Sequence, residues 1–307
     1  MAAPPSRIVF ASARPLAGMI AADAGDAFAF VGPWAEDAGA FAEARVALSS
    51  GVDVFDAALL ARLPALREIV VFGAGQAGID LAETERRGIR VNAAGATHAG
   101  DVAEHGVAMI LAVRRALLAG DHWVRSGRWR TDGRMPGARR LSGARVGIVG
   151  LGHIGRECAR RLEALGCAVA WWGPNPKPDA GWPRAASLLA LAARSDILVV
   201  AAFAHENTRG LVGRAEIDAL GREGLLVNLS RGFVVDEAAL IAALREGRLG
   251  HAALDVFDEE PTPAARWADV PNMLLSPHRA GDTVESLAAL RARAVREIAA
   301  ALDRGDG

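Results

Sequence analysis

The sequence predicts an α/β protein of two units. One is a doubly wound parallel sheet over residues 96–281; the other is a smaller α/β unit made from residues 1–95 and 282–307. Three observations predict this. The chain has 307 residues, and about 150 residues per domain suggests two domains. Its strand candidates are continuous apolar runs, the pattern of parallel strands buried on both faces. The stretch from Arg145 to Trp172 reads strand, glycine loop, helix, strand, the repeating unit of such a sheet.

In that stretch Val146, Ile148 and Val149 form a short β-branched run. Gly150-Leu151-Gly152-His153-Ile154-Gly155 follows, then a helix over Arg156 to Leu165 with Gly166 at its end, then a strand over Val169 to Trp172. Further strands are expected at Asp196 to Val200, Gly224 to Ser230, His251 to Phe257 and Asn272 to Ser276. Asp236 is placed to cap a helix over Glu237 to Glu246, which Gly247 ends. The smaller unit has strand candidates at Arg7 to Phe10, Ala27 to Val31, Ala44 to Leu48, Glu68 to Phe72 and Arg90 to Val91. The last helix, Thr283 to Asp303, follows the large sheet without a strand partner there, so it is expected to return to the first unit.

Composition excludes several classes. Half the residues are hydrophobic (51%), which is incompatible with disorder. The balance of 35 basic and 36 acidic residues leaves no field to attract nucleic acid or an anionic membrane. The longest apolar run, Ile197 to Ala204, falls far short of the roughly 18 residues that span a bilayer. Met1 to Phe10 contains two prolines and no long apolar segment, so no secretory signal is expected. Two cysteines, Cys158 and Cys167, give neither a disulfide framework nor metal-ligand spacing. A cytoplasmic protein without nucleic-acid, membrane or metal partners is the expectation.

The glycine loop points to a dinucleotide. Its first glycine permits the tight turn, its second lets backbone approach pyrophosphate, and its third lets helix pack on strand. The helix N-terminus then turns free N–H groups and a positive dipole end to the phosphates. Gly150, Gly152 and Gly155 are therefore cofactor-binding candidates in a Rossmann-type unit. An NAD-preferring site usually carries an acid about 20 residues further on. Here the second strand runs Trp171-Trp172-Gly173-Pro174-Asn175-Pro176-Lys177, with no acid before Asp179. NADP(H) is expected to be preferred, with NAD(H) possible, and Asn175 and the chain's single lysine, Lys177, are the phosphate-side candidates. The alternative for Lys177 is an ordinary solvated loop residue.

Three polar residues follow predicted strands: Arg231 after Asn228-Leu229-Ser230, Glu260 after Asp255 to Glu259, and His278 after Leu274 to Pro277. Ligands of open α/β sheets bind outside those carboxyl ends. Arginine can hold a carboxylate with two parallel hydrogen bonds. Histidine can move a proton near neutrality, and a carboxylate beside it favours the protonated imidazole and fixes its tautomer. On charge alone Glu259 competes with Glu260.

At these residues the chain resembles the D-isomer-specific 2-hydroxyacid dehydrogenase family, and within it the glyoxylate/hydroxypyruvate and hydroxyphenylpyruvate reductases. The motifs are Gly150-Leu-Gly-His-Ile-Gly155, Asn228-Leu-Ser-Arg-Gly232, Leu254-Asp-Val-Phe-Asp-Glu-Glu-Pro261, Leu275-Ser-Pro-His278, Val102-Ala-Glu-His105 and Gly73-Ala-Gly75. The resemblance implies a flavodoxin-like substrate domain beside the cofactor domain. It assigns Arg231 to the substrate carboxylate, Glu260 as the acid paired with histidine, and His278 as general acid/base. It gives Ala74 and Gly75 to the substrate carboxylate, His153 and Ile154 to the cofactor pyrophosphate, and Leu229, Ser230, Asp255 and Gly281, with Arg231 and His278, to cofactor contact. It also implies a homodimer using the segment near Val107 to Trp129. Phe203, His205, Ala77 and Arg279 depart from the family pattern, which bears on substrate size and cofactor contacts. His105 is expected to serve in helix packing. The expected activity is transfer of a hydride from NAD(P)H to a small 2-oxo acid. A dinucleotide-sensing, corepressor-like protein is the alternative.

Overall fold

The computed structural model describes residues 7–35, 39–51, 53–76 and 78–304; Ala77 and the first six residues lie outside them. The chain divides into two compact units: residues up to His98 together with those from Thr283, and Ala99–Asp282.

The first unit is a five-stranded parallel sheet. Its strands are β1 (Ile8–Ala11), β2 (Ala29–Val31), β3 (Val46–Ser49), β4 (Glu68–Val71) and β5 (Arg90–Asn92), in the order β2-β1-β3-β4-β5. Successive residues of a strand point to opposite faces, and the two cores follow that alternation. Val9, Leu48 and Val70 pack with Leu16, Ile20 and the C-terminal-helix residues Ala294 and Ile298. Phe10, Ala47, Ile69 and Val71 pack with Phe41, Leu60 and Leu63 on the other face. The helix Val284–Asp303 is capped by Thr283, whose hydroxyl accepts the Ser286 N–H. Its buried Arg293 donates to the carbonyls of Val71 (3.1 Å) and Ala93 (2.8 Å), at the carboxyl ends of β4 and β5. The helix is therefore held to this sheet by a fixed arginine as well as by its apolar stripe.

The second unit is a six-stranded, all-parallel sheet of β6 (Arg145–Val149), β7 (Ala168–Trp172), β8 (Ile197–Val200), β9 (Leu225–Asn228), β10 (His251–Leu254) and β11 (Met273–Leu275). The order is β11-β10-β9-β8-β6-β7, so it reverses between β6 and β8. Helices cover both faces. Val102, Met109, Ile110, Ala159 and Leu162 pack on Val146, Ile148, Val199 and Val227. Leu191, Ile217, Leu240 and Leu244 pack on Val149, Leu198, Leu226 and Leu254. Both cysteines are buried and unbridged, and burial pushes the Cys158 thiol up to about 12.

Most elements lie within a residue or two of the sequence expectation. The strand expected from Gly224 to Ser230 ends at Asn228, because the Asn228 side chain folds the next residues into a turn: it accepts the Ser230 N–H and donates to the Arg231 carbonyl, both at 3.0 Å. The glycine-loop helix begins at His153, not at Arg156. Glycine weakens a helix interior, yet Gly155 lies in its first turn.

Candidate active site

The reason for Gly155 is steric. A Cβ there would sit 2.0 Å from the Gly150 carbonyl oxygen. Gly150 itself takes φ +88°, and a Cβ on it would collide with Ala202, which follows β8. The loop therefore crosses the point where strand order reverses, where ligands of such sheets bind. Gly152 caps the helix without any side-chain hydrogen bond, and a Cβ added to it would meet no heavy atom within 4 Å. An open, uncapped helix N-terminus of 12 residues behind a Cβ-free cradle fits a dinucleotide pyrophosphate.

At the end of β7, Asn175 is exposed and Lys177 half-buried. Asp179 is committed elsewhere: its carboxylate lies 2.7 Å from the Arg156 guanidinium. The hydrogen bond from Arg156 and the nearby positive charges, Lys177 among them, hold it below the usual carboxylate range. Sequence reasoning missed Arg184. It lies on a segment bridged to Trp171 and donates to the carbonyls of Gly173 (2.8 Å) and Pro174 (3.1 Å). A second cation thus stands at the strand end where a dinucleotide ribose binds. Nothing local in the sequence marks it, because the bridge joins residues 13 apart across a loop.

The three polar candidates all fall just beyond the carboxyl ends of β9, β10 and β11. His278 Nδ1 lies 2.5 Å from Glu260 Oε2, and Glu260 Oε1 accepts the Phe257 N–H at 2.9 Å. Glu260 is thus oriented at both oxygens, and it, not Glu259, pairs with the imidazole. Burial alone would raise its pKa. The His278 hydrogen bond, the Phe257 N–H and the charges of His278 and Arg231 outweigh that and hold it below the usual range. Arg231 donates from Nη1 to the Ser230 carbonyl (2.7 Å), while its buried Nε has no hydrogen-bond partner. Burial pushes its pKa down, partly offset by Glu260. A desolvated guanidinium with an unused N–H costs roughly 1–3 kcal/mol and suits an incoming carboxylate.

Asp255 is the organiser of the His278 loop. Its carbonyl accepts the His278 N–H (2.7 Å), and its buried carboxylate accepts the N–H groups of Arg279 and Ala280, both at 3.0 Å. These bonds hold His278 at φ +49°, a conformation that few non-glycine residues adopt. His105 Nε2 stands 3.0 Å from Ser276 Oγ and 3.6 Å from Asp255, so this histidine supports the same loop as well as packing its helix. Glu237, whose acid on a helix first turn looked ordinary, is buried. It accepts the Asp258 N–H at 2.6 Å and lies 2.7 Å from Arg266.

The remaining candidates are distributed differently. Leu229 is core, and Ser230 donates to the Ala202 carbonyl at 2.6 Å, so their side chains are occupied within the protein. Gly281 is half-buried after Ala280. Ala74 and Gly75 belong to the other unit, in the loop after β4. Phe203 is exposed after β8. Among the described residues no group of His, Cys, Asp and Glu could hold a metal, and no helix is long and apolar enough to cross a membrane.

A glycine cradle at a sheet's switch point, beside an arginine and a histidine–glutamate pair, defines a dinucleotide-dependent oxidoreductase architecture. Residues 107–280 match the family described as D-isomer specific 2-hydroxyacid dehydrogenase, NAD binding domain. The chain is 42% identical over 231 residues to the glyoxylate/hydroxypyruvate reductase A of Arabidopsis thaliana, covering 75% of this chain and 74% of that one. It superposes on a 2-hydroxyacid dehydrogenase of Ketogulonicigenium vulgare with a TM-score of 0.88 and 38% identity, covering 99% and 97% of the two chains. On the NADPH-dependent glyoxylate/hydroxypyruvate reductase of Sinorhizobium meliloti, solved with NADP and malonate, the TM-score is 0.82 at 30% identity, with 95% and 92% covered. The chain belongs to the D-isomer-specific 2-hydroxyacid dehydrogenase family.

Proposed function

We propose that this protein is an NAD(P)H-dependent reductase of small 2-oxo acids of the glyoxylate or hydroxypyruvate kind, forming D-2-hydroxy acids. The observation that carries the reading is the Arg231, Glu260 and His278 set beyond the strand ends of a dinucleotide-type sheet. The relatives reported above are enzymes and lend no support to a dinucleotide-sensing corepressor.

The nicotinamide, when bound, supplies the hydride; the protein's residues bind, orient and move the proton. Arg231 anchors the substrate carboxylate with its spare N–H groups and stabilises negative charge that develops on the adjacent oxygen. His278 carries the proton at Nε2, because Nδ1 is committed to Glu260. It releases that proton to the carbonyl oxygen as the carbon is reduced. Glu260 keeps the imidazole in the required tautomer. Gly150, Gly152, His153, Ile154 and Gly155 hold the pyrophosphate. Leu229, Ser230, Asp255 and Gly281 contribute through main chain or by fixing the His278 loop.

We favour NADP(H). Support comes from the absence of an acid before Asp179, from the Arg156 pairing that occupies Asp179, and from Lys177 and Arg184 near the end of β7. Absorbance assays pitting glyoxylate, hydroxypyruvate, phenylpyruvate and pyruvate against NADPH and NADH test both halves of this reading. Glyoxylate or hydroxypyruvate with NADPH should give the highest kcat/KM. Lys177→Ala should reduce the NADPH-over-NADH ratio about tenfold, the effect of one charge-assisted contact. A higher kcat/KM with NADH refutes the cofactor preference, and no turnover with any 2-oxo acid refutes the function.

Glu260→Gln keeps the shape and one hydrogen bond but removes the negative charge. Nδ1 of His278 then faces a neutral amide instead of the carboxylate that fixes the ring. Reduction should slow by about ten- to a hundredfold in kcat, with the dinucleotide Kd unchanged. An unchanged kcat would detach Glu260 from the proton transfer.

The reading includes a cytoplasmic homodimer. The helices Leu117–Arg125 and Arg128–Thr131 bury no residue, and Leu117, Leu118, Val124 and Trp129 are each more than half exposed. Such apolar exposure suits a second copy of the chain. Sedimentation should give a dimer that Leu118→Asp with Val124→Asp weakens toward monomer.

A further inference from the structure

The second unit holds a cavity of about 420 Å³ that the proposed reaction does not use. It opens at the amino ends of the strands: Leu225 begins β9, His251 begins β10, and Asn272 immediately precedes β11. The candidate active site follows the carboxyl ends. With β9 and β10 each four residues long, about 13 Å of strand separates the two.

The lining is cationic. Arg114, Arg139, Arg222 and His251 contribute to it, against a single carboxylate, Glu223. Glu223 is engaged by Arg139. Arg114 donates from Nη2 to the Arg140 carbonyl at 2.6 Å, but its Nε is sealed from water with no hydrogen-bond partner. Asp196 eases its charge only from a distance, since that carboxylate binds Arg145. Burial, followed by the charge of Arg139, pushes the pKa of Arg114 down. Burial and the charges of Arg139 and Arg114 push His251 down. Buried charge is ordinarily paired, yet among the described residues neither Arg114 nor Arg222 has a carboxylate partner at this cavity, whose one acid is taken by Arg139. A compact oxyanion supplies what is missing: acceptor oxygens for the arginine fork and negative charge for its neighbours.

We propose that this cavity is a binding site for a phosphate-type oxyanion, as the free ion or as the phosphate of a small metabolite, with Arg114 and Arg222 as its principal ligands. The site lies apart from the groups proposed for hydride transfer, so its occupation is independent of them.

Calorimetric titration of the full chain with inorganic phosphate, at ionic strength matched with chloride, tests this. The Arg231→Gln variant is the background, since it removes the active-site arginine. One phosphate should bind in that background, and Arg222→Gln should weaken it at least tenfold. Because Arg222 is exposed and its side chain makes no hydrogen bond or ion pair among the described residues, that variant keeps the test open if Arg114→Gln fails to fold. The imidazole signal of His251 should titrate at higher pH with phosphate bound than in chloride alone. A phosphate ester tested beside the free ion separates the two sources, and either one binding in this pattern supports the site. Absence of binding in the Arg231→Gln background overturns the proposal, as does equal affinity with and without Arg222 or a His251 titration that phosphate leaves unmoved.

Discussion

His278→Ala should reduce kcat for 2-oxo acid reduction by roughly a hundred- to ten-thousand-fold, the range for loss of a positioned general acid. The dinucleotide Kd, read from fluorescence quenching, should stay close to wild type. The expectation rests on geometry. Glu260 holds one ring nitrogen at 2.5 Å, and the Asp255 carbonyl and carboxylate fix the main chain on either side. The other nitrogen is thereby aimed by two independent restraints. Alanine removes the proton donor but no group that contacts the glycine cradle. Near-wild-type kcat would mean that another group supplies the proton. A parallel loss of dinucleotide affinity would mean that the loop, not the imidazole, carries the effect. His278→Gln distinguishes these, since it keeps a polar side chain at the site without an exchangeable acid.

Arg231→Gln should lower kcat/KM for 2-oxo acids by about 30- to 3000-fold. Losing one member of a desolvated, hydrogen-bonded charge pair costs roughly 2–5 kcal/mol, and 1.4 kcal/mol is a factor of ten. Arg231 is already half-buried and lowered in pKa, with its sealed Nε unpartnered, so the protein bears part of its desolvation cost before substrate arrives. Arg231→Lys should recover the charge but little of the activity, because an ammonium cannot reproduce the two-pronged geometry. Steady-state kinetics of the two variants checks this. Lysine equal to arginine would show that charge alone suffices.

Several parts of the site were legible from local sequence because the signals are local. Gly150 and Gly155 fall in one loop where the turn and the packing each exclude a Cβ, while Gly152 leaves its helix start open. Arg231, Glu260 and His278 each follow an apolar run, so their place at strand ends could be read without a fold. What was not legible depends on partners distant in the chain. His105 looked like a helix-packing residue, yet it touches Ser276, 171 positions away. Glu237 looked like a helix-start acid, yet it takes the N–H of Asp258, next to Phe257, whose N–H binds Glu260. Arg184 was one arginine among many until its pairing with Trp171 set it at the end of β7. The helix expected from Arg156 starts at His153, and the 2.0 Å approach to the Gly150 carbonyl explains the glycine in its first turn.

By itself the sequence determined the α/β class, the parallel strands and the polar residues that follow their carboxyl ends. Each of these follows from periodicity, turn chemistry or residue type within a few positions. Tertiary structure alone decided what holds His278 at its positive φ and which arginine N–H groups remain without acceptors. Those outcomes depend on hydrogen bonds and desolvation between segments far apart in the chain, and these arise only when the sheets assemble.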